Sequence, residues 1–196
     1  MKPRKGAVNR ETSETAVRVE LTIDGTGAAG MSTGIRMFDH LLTQVSRHGL
    51  FDLTVSSSGD NQHHIVEDVA ICMGRALNEA LGDKSGIVRM AHAIVPMDDA
   101  LSLVAIDISG RGGAHTRTPF ACPAIGDLES DMVRHFLLTF ASEAKLSLHA
   151  TVECGENDHH KAESLFKALG RALDLACSRD ERRGAEVPSS KGILEH

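Results

Sequence analysis

Two segments of the chain place the same reactive side chains at the same spacing. Residues 60–77 read DNQHHIVEDVAICMGRAL, and residues 157–173 read NDHHKAESLFKALGRAL. In each, a histidine doublet stands three and four residues before a glutamate: His63 and His64 before Glu67, His159 and His160 before Glu163. On a helix, adjacent side chains diverge by about 100°, whereas residues three or four apart share a face. His63 therefore aims with Glu67, and His64 approaches the same acid from i, i+3. The two imidazoles of one doublet cannot easily serve one ion together, so each doublet suits two different metals. One more histidine per segment, His40 and His135, brings the set to eight nitrogen and oxygen ligands. With no thiolate among them, the set suits Mn, Fe or Zn, and Mn fits a mixed histidine and carboxylate shell open to substrate.

A single HH-x-x-E would read as a solvated helix start, where the glutamate also complements the dipole. Repetition changes that reading. Glycine and leucine in the two GRAL segments (Gly74, Leu77; Gly170, Leu173) serve packing, but packing gives no reason to keep exposed imidazoles. Arg75 and Arg171 read as structural. His48 precedes Gly49 at a helix end, where a cation near the last carbonyls is explanation enough. His149 alternates within a strand-like SLHATVE, and His92, His115 and His196 stand in no pattern. Arg89, Arg111, Lys167 and Lys191 lie near turns. Singly each reads as a surface charge; together with Ser189 and Ser190 they are the right types to hold a phosphate by charge-assisted hydrogen bonds.

The elements that position these groups are themselves repeated. The doublets align at a constant offset of 96 residues, and DHLLTQVSRHG (39–49) aligns with RHFLLTFASEA (134–144) at 95, placing His40 over His135. A fixed long period indicates two copies of one supersecondary unit. Each copy begins with an alternating strand (Thr15–Ile23; Leu101–Ile108), followed by a Gly/Ser/Pro-containing loop. A helix comes next (about 37–48; about 129–145), then a short strand (Leu50–Ser56; Leu146–Glu153) and a second helix (about 63–81; about 159–178). Ile87–Val95 reads as a strand between the copies. The expectation is one α+β domain of two repeats, about 10–95 and about 96–180, with helices packed on β-sheets. The polar tail, 181–196, is expected to be mobile unless a ligand orders it.

Composition narrows the function. The 196 residues carry a formal charge of −6, 11 histidines, and neither Tyr nor Trp. Such a chain lacks both the basic field and the stacking platforms of a nucleic-acid binder. No apolar run approaches the roughly 18–20 residues of a membrane span. MKPRKGAVNR is basic but leads into no apolar stretch, so it does not read as a signal peptide. The four cysteines (Cys72, Cys122, Cys154, Cys177) form no metal-type spacing and read as reduced, which points to the cytoplasm.

These stretches also carry a likeness. ETSET (11–15), STGIRMFDHLLTQVSRHG (32–49), GDNQHHIVEDVAICMG (59–74), PMDDALSLVAIDISGR (96–111), GENDHHKAESLFKA (155–168) and PSSKG (188–192) resemble the imidazoleglycerol-phosphate dehydratases of histidine biosynthesis. The resemblance implies internally duplicated left-handed βαβ units (ribosomal protein S5 domain 2-like). It also implies a 24-mer built from trimers, and two Mn(2+) ions per active site at intersubunit positions. It places metal ligands at His40, His63, His64, Glu67, His135, His159, His160 and Glu163. It places substrate contacts at Glu14, His40, His48, Arg89, Arg111, Lys167, Ser189, Ser190 and Lys191. Departures from the family pattern are small: HHIVED for HHTVED, PMDDAL for PMDEAL, which shortens an acid to Asp99, and SSKG for STKG.

The implied reaction removes water from imidazole glycerol phosphate to give imidazole acetol phosphate. The hydrogen lost lies on a carbon beside the ring, and two cations on the ring nitrogens would stabilise an imidazolate by Lewis-acid catalysis. Glu14 is the first choice for shuttling protons, with Glu67 and Glu163 acting through the metals. A dinuclear phosphoester hydrolase would also explain the metals and cations. A metal-assembled structural protein would explain the doublets but would make Arg89, Arg111 and Lys191 coincidental.

Overall fold

A computed structural model describes residues 3–194. The first half forms a four-stranded sheet in the order β1-β2-β4-β3, where β1 is Lys5–Glu11, β2 Thr15–Thr22, β3 Ala29–Ser32 and β4 Asp52–Gly59. Two helices belong to it, α1 (Arg36–Gly49) and α2 (Gln62–Leu81). The second half repeats this plan as β5-β6-β10-β7, where β5 is Met90–Met97, β6 Ala100–Asp107, β7 Gly113–Arg117 and β10 Ser147–Cys154, with α3 (Ser130–Glu143) and α4 (Asp158–Cys177). In both sheets the first three strands pair antiparallel and the last joins parallel, through a β-α-β crossover. A small extra hairpin, β8 (Ala124–Ile125) and β9 (Leu128–Glu129), lies in the loop before α3.

The sequence accounts for these elements locally. TAVRVELT in β2 alternates buried and exposed along its length, as a strand with one covered face must. The helix α2 starts where the Asn61 side chain accepts the His64 N–H, and α4 starts where Asn157 accepts the N–H groups of His159 and His160. Each doublet thus sits in the first turn of a capped helix. The shorter helices end alike: Leu50 follows α1 at φ 55° and Lys145 follows the end of α3 at φ 56°, at the repeat offset of 95.

In the helical layer α1 packs on α4 and α2 on α3, so each contact joins the two halves. The repeated glycines make this possible. A Cβ on Gly74 would lie 2.8 Å from the Phe140 carbonyl of α3, and one on Gly170 would lie 2.7 Å from the Val45 carbonyl of α1. Phe136 is the centre of the packing. It meets Phe38 edge-on at 5.5 Å and stacks on Phe166 at 5.4 Å and Phe140 at 5.8 Å, each fully buried ring contributing about 1.5–3 kcal/mol. Cys72 and Cys177 are buried in this core, and burial pushes their thiols up to about 11 and about 12.

Two features depart from the sequence expectation. The strand expected at Ile87–Val95 lies at Met90–Met97 and is the first strand of the second sheet, so it belongs to the second repeat and not between the repeats. Its counterpart β1 opens the first repeat upstream of residue 10; its covered face carries Gly6, Val8 and Arg10, the last bonded to Asp68 of α2, so the alternation shows little apolar pattern. Around the start of the tail, Gly86 donates to the Glu186 carbonyl (2.8 Å), and just before the tail Asp180 donates to the Gly86 carbonyl (2.9 Å) and Arg179 to that of Ser85 (2.6 Å).

Candidate metal centre

Because α1 lies on α4 and α2 on α3, residues from the two halves meet in two clusters. In one, Glu163 lies on α4 one turn beyond His159, and His40 reaches across from α1. The Glu163 Oε2 is 2.9 Å from His40 Nε2 and 3.0 Å from His159 Nε2. In the other, His63 and Glu67 lie one turn apart on α2 and His135 reaches across from α3. The His63 and His135 rings stack at 4.4 Å, and His135 Nε2 is 3.6 Å from Glu67 Oε1. In each trio one ligating atom per residue falls within 4.8 Å of the others, close enough for a single cation.

The electrostatics of the clusters differ. Burial alone would raise the Glu163 carboxyl, but Lys167, 2.8 Å from its other oxygen, and His40 outweigh burial and hold it down to about 2. At the other cluster, burial and then the neighbouring His63 hold the His135 imidazole below its ordinary range. His135 Nε2 is buried and has no hydrogen-bond partner. A neutral ring nitrogen left unpartnered beside a histidine and a carboxylate is what a metal ligand looks like before it binds. The residues present therefore fit a divalent cation at each trio.

Six of the eight expected ligands gather in these trios; His64 and His160 do not. The sequence geometry sends His64 toward Glu67, but its Nδ1 instead lies 2.8 Å from Asp60 and 3.7 Å from Glu14. His160 Nδ1 lies 2.6 Å from Asp99. The reason is the divergence within each doublet: the paired rings stand at 80° and 88° to one another, 6.0 and 6.1 Å apart. The second histidine turns away from the cluster and finds an acid at the helix start. Asp60 and Asp99 were not singled out as functional from the sequence. The signal was present in the position of Asp60, four residues before His64, and in the place of Asp99 one residue before a strand. The His160 hydrogen bond and two backbone N–H groups hold the Asp99 carboxyl well below the usual carboxylate range.

A family profile described as imidazoleglycerol-phosphate dehydratase matches residues 33–173. The chain belongs to the imidazoleglycerol-phosphate dehydratase family. It is 55% identical over 196 residues to the dehydratase of Dehalococcoides mccartyi, covering both chains completely. It is 51% identical over 194 residues to that of Chloroflexus aggregans, covering 97% of this chain and 95% of the other. Among solved structures, the dehydratase of Pyrococcus furiosus matches with a TM-score of 0.84 and 33% identity, over 95% of this chain and 100% of that one. That of Staphylococcus aureus matches at 0.80 and 28%, over 90% and 99%. The chain is thus a hydro-lyase, a dehydratase of histidine biosynthesis.

The remaining residues expected to matter to a dehydratase fall in several places. Glu14 is exposed beside His64. Arg89 holds Asp107 through Nε and Nη2 (2.7 and 3.1 Å) and donates from Nη1 to the Pro188 carbonyl at 2.7 Å, so it adjoins the segment carrying Ser189, Ser190 and Lys191. Ser189 Oγ accepts the Lys191 N–H, closing a turn there. Arg111 is exposed in the bend after β6, its N–H donating to Ser109 Oγ. Lys167 is engaged by Glu163. His48 is half-buried near the end of α1, and burial, then the charges of Lys167 and Arg171, hold it below its ordinary range. His40 and His159 line a cleft with Arg36, Met37, Gly126 and Asp127. No helix among the described residues is long and apolar enough to cross a membrane.

Proposed function

We propose that this chain converts imidazole glycerol phosphate to imidazole acetol phosphate and water, with two manganese ions per active site. The observation that carries the metal reading is the pair of half-built clusters, one of which leaves His135 Nε2 buried and unpartnered. Each trio offers three ligands, and a coordination shell that also admits substrate needs more. His64 and His160 face away from their own trios, which suits them to complete trios on neighbouring copies. The active site would then lie between subunits, in an assembly of 24. When bound, the cations supply Lewis-acid polarisation of the substrate's imidazole, making the neighbouring C–H acidic enough to remove.

The chain's own residues have the remaining work. Glu14 is an exposed carboxylate beside His64, suited to moving a proton between carbon and the departing hydroxyl. Glu67 and Glu163 serve as ligands. Arg89, already beside the SSKG turn, forms with Ser189, Ser190 and Lys191 a cationic, donor-rich patch for the phosphate, to which Arg111 and Lys167 add charge. Anchoring the phosphate converts remote binding into orientation of the reacting carbon. His40 and His48 contribute the imidazole-facing side of α1.

One assay tests the reaction. Manganese-loaded protein is incubated with imidazole glycerol phosphate while ketone and inorganic phosphate are followed. Ketone without phosphate is the expected result. Phosphate release would favour a metallohydrolase, and neither product with metal bound would refute both enzymatic readings. In the same assay Glu14→Gln should abolish turnover at unchanged metal content.

A further inference from the structure

The acids that meet the outer histidines, Glu14 and Asp99, occupy the same place in the two sheets. β2 begins at Thr15 and β6 at Ala100, and each acid is the residue just before. The strand pairs β1/β2 and β5/β6 align at a constant offset of 85, Val8 opposite Val19 and Ala93 opposite Val104. Position alone makes Glu14 and Asp99 counterparts, but their surroundings differ. One oxygen of Asp99 accepts the N–H groups of Glu156 (2.5 Å) and Asn157 (3.0 Å), and the other meets His160 Nδ1. Asp99 is thereby fixed from both sides of the turn that leads into α4. Glu14 is 54% exposed at its side chain and stands back at 3.7 Å, because Asp60 holds the nearer position on His64.

The place of one proton follows from these contacts. An ionised carboxylate can only accept a hydrogen bond, so His160 Nδ1 carries the proton that it donates to Asp99. Nε2 lies 3.4 Å from the exposed Asp98. In the first half the same argument does not close. His64 Nδ1 lies 2.8 Å from the Asp60 carboxylate and also 2.8 Å from the Asn61 amide nitrogen, a donor. The asymmetry singles out the second half.

We infer that Asp99 is a positioning residue that fixes the His160 ring through Nδ1, so that Nε2 is the atom presented to a divalent cation, while its counterpart Glu14 is left exposed for proton transfer. The inference rests on the metal reading above. It assigns Asp99 a role through His160 and not through substrate. Carboxylates behind ligating histidines fix the ring's orientation and raise its basicity, and losing one weakens metal binding about 10–100-fold.

The test is a double-mutant cycle read by manganese binding, with free Mn(II) followed by electron paramagnetic resonance in the assembled protein. Asp99→Ala should weaken one class of manganese site about 10–100-fold. On a His160→Gln background it should cause no further loss, because the group it positions is gone. Asp99→Glu should recover most of the affinity. A purely structural role in the turn at 155–157 predicts equal losses on both backgrounds, since His159 shares that helix start. Equal losses, or unchanged affinity in Asp99→Ala, would overturn the inference. Should Asp99→Ala fail to fold by circular dichroism, Asp99→Asn carries the cycle, its amide oxygen still able to accept the two backbone N–H groups. A wild-type protein that takes up no manganese would overturn both this assignment and the metal reading.

Discussion

The trio on α1 and α4 and the trio on α2 and α3 hold the same ligand types at the same helical spacing, yet they differ in what holds them. At Glu163 one oxygen meets His40 and His159 and the other meets Lys167, all within 3.0 Å. At Glu67 the His135 nitrogen is 3.6 Å away and the carboxylate is 41% exposed. One substitution between the repeats accounts for much of this. The residue four beyond the glutamate is Lys167 in the second half and Ile71 in the first. The lysine keeps its carboxylate ionised and fixed, but it also occupies an oxygen that a cation would use. A duplicated framework has therefore diverged into one internally neutralised cluster and one that presents an open carboxylate and an unpartnered imidazole.

The two glutamates should separate when each is neutralised. Glu163→Gln and Glu67→Gln should each lower activity by more than about 100-fold, since each removes a proposed ligand. Their effects on the metal-free fold should differ. Glu163→Gln leaves Lys167, only 18% exposed, without its carboxylate, at a cost of roughly 2–4 kcal/mol for an unpaired, largely buried charge. Glu67→Gln alters an exposed group and should stay within about 0.5 kcal/mol. Urea unfolding of chelator-treated protein measures both. Equal destabilisation would show that Lys167 does not distinguish the clusters.

Acid should expose the same difference more gently. The Glu163 carboxyl is held down to about 2 in the folded protein, below the ordinary glutamate value of about 4.3. A depressed carboxylate stabilises the fold fully above its ordinary value, and this is lost as pH falls toward the folded value. The metal-free wild type should therefore lose stability between about pH 4.5 and 2, with a shallower decline in Glu163→Gln across the same window. Matching urea midpoints across that range would remove Glu163 as the titrating group.

Much of this was legible in the sequence, for reasons that individual residues make plain. The duplication showed because a metal-type doublet and a packing glycine recur together, and Gly74 and Gly170 are positions where a Cβ would strike the opposing helix. The divergence of the doublet rings followed from helical geometry alone. What stayed hidden depends on packing between the halves. That His40 joins His159 and not His63 is decided by α1 lying on α4, and no spacing along the chain encodes that contact. β1 was missed because its covered face holds a glycine and an arginine, Gly6 and Arg10, beside the single apolar Val8. The tail read as mobile from its polar composition, which does not reveal the bonds from the Gly86 N–H to Glu186 and from the Arg89 guanidinium to Pro188.

The smallest predicted effect concerns the hairpin that only the second half carries. Asp127, in its turn, accepts the backbone N–H groups of Arg36 (2.9 Å) and Met37 (2.8 Å), capping α1 of the other half, whose own Ile35 has no capping side chain. Gln62 fastens the hairpin to α2 by donating to the Asp127 carbonyl and accepting the Glu129 N–H. The equivalent helix α3 has no side-chain cap at Glu129; the N–H of its first residue, Ser130, goes instead to the Pro123 carbonyl. Removing the carboxylate in Asp127→Ala leaves two N–H donors without their acceptor and takes away the charge at the helix start, worth about 1 kcal/mol. For a chain of this length that lowers Tm by about 2–4 °C, and Asp127→Asn, whose amide oxygen still accepts, should recover part of it. Because α1 carries His40 into the Glu163 cluster, the same loosening should weaken manganese binding there and leave the His63 cluster alone. A melting temperature unchanged in Asp127→Ala would mean that α1 is held by its packing on α4 and needs no cap from the second half.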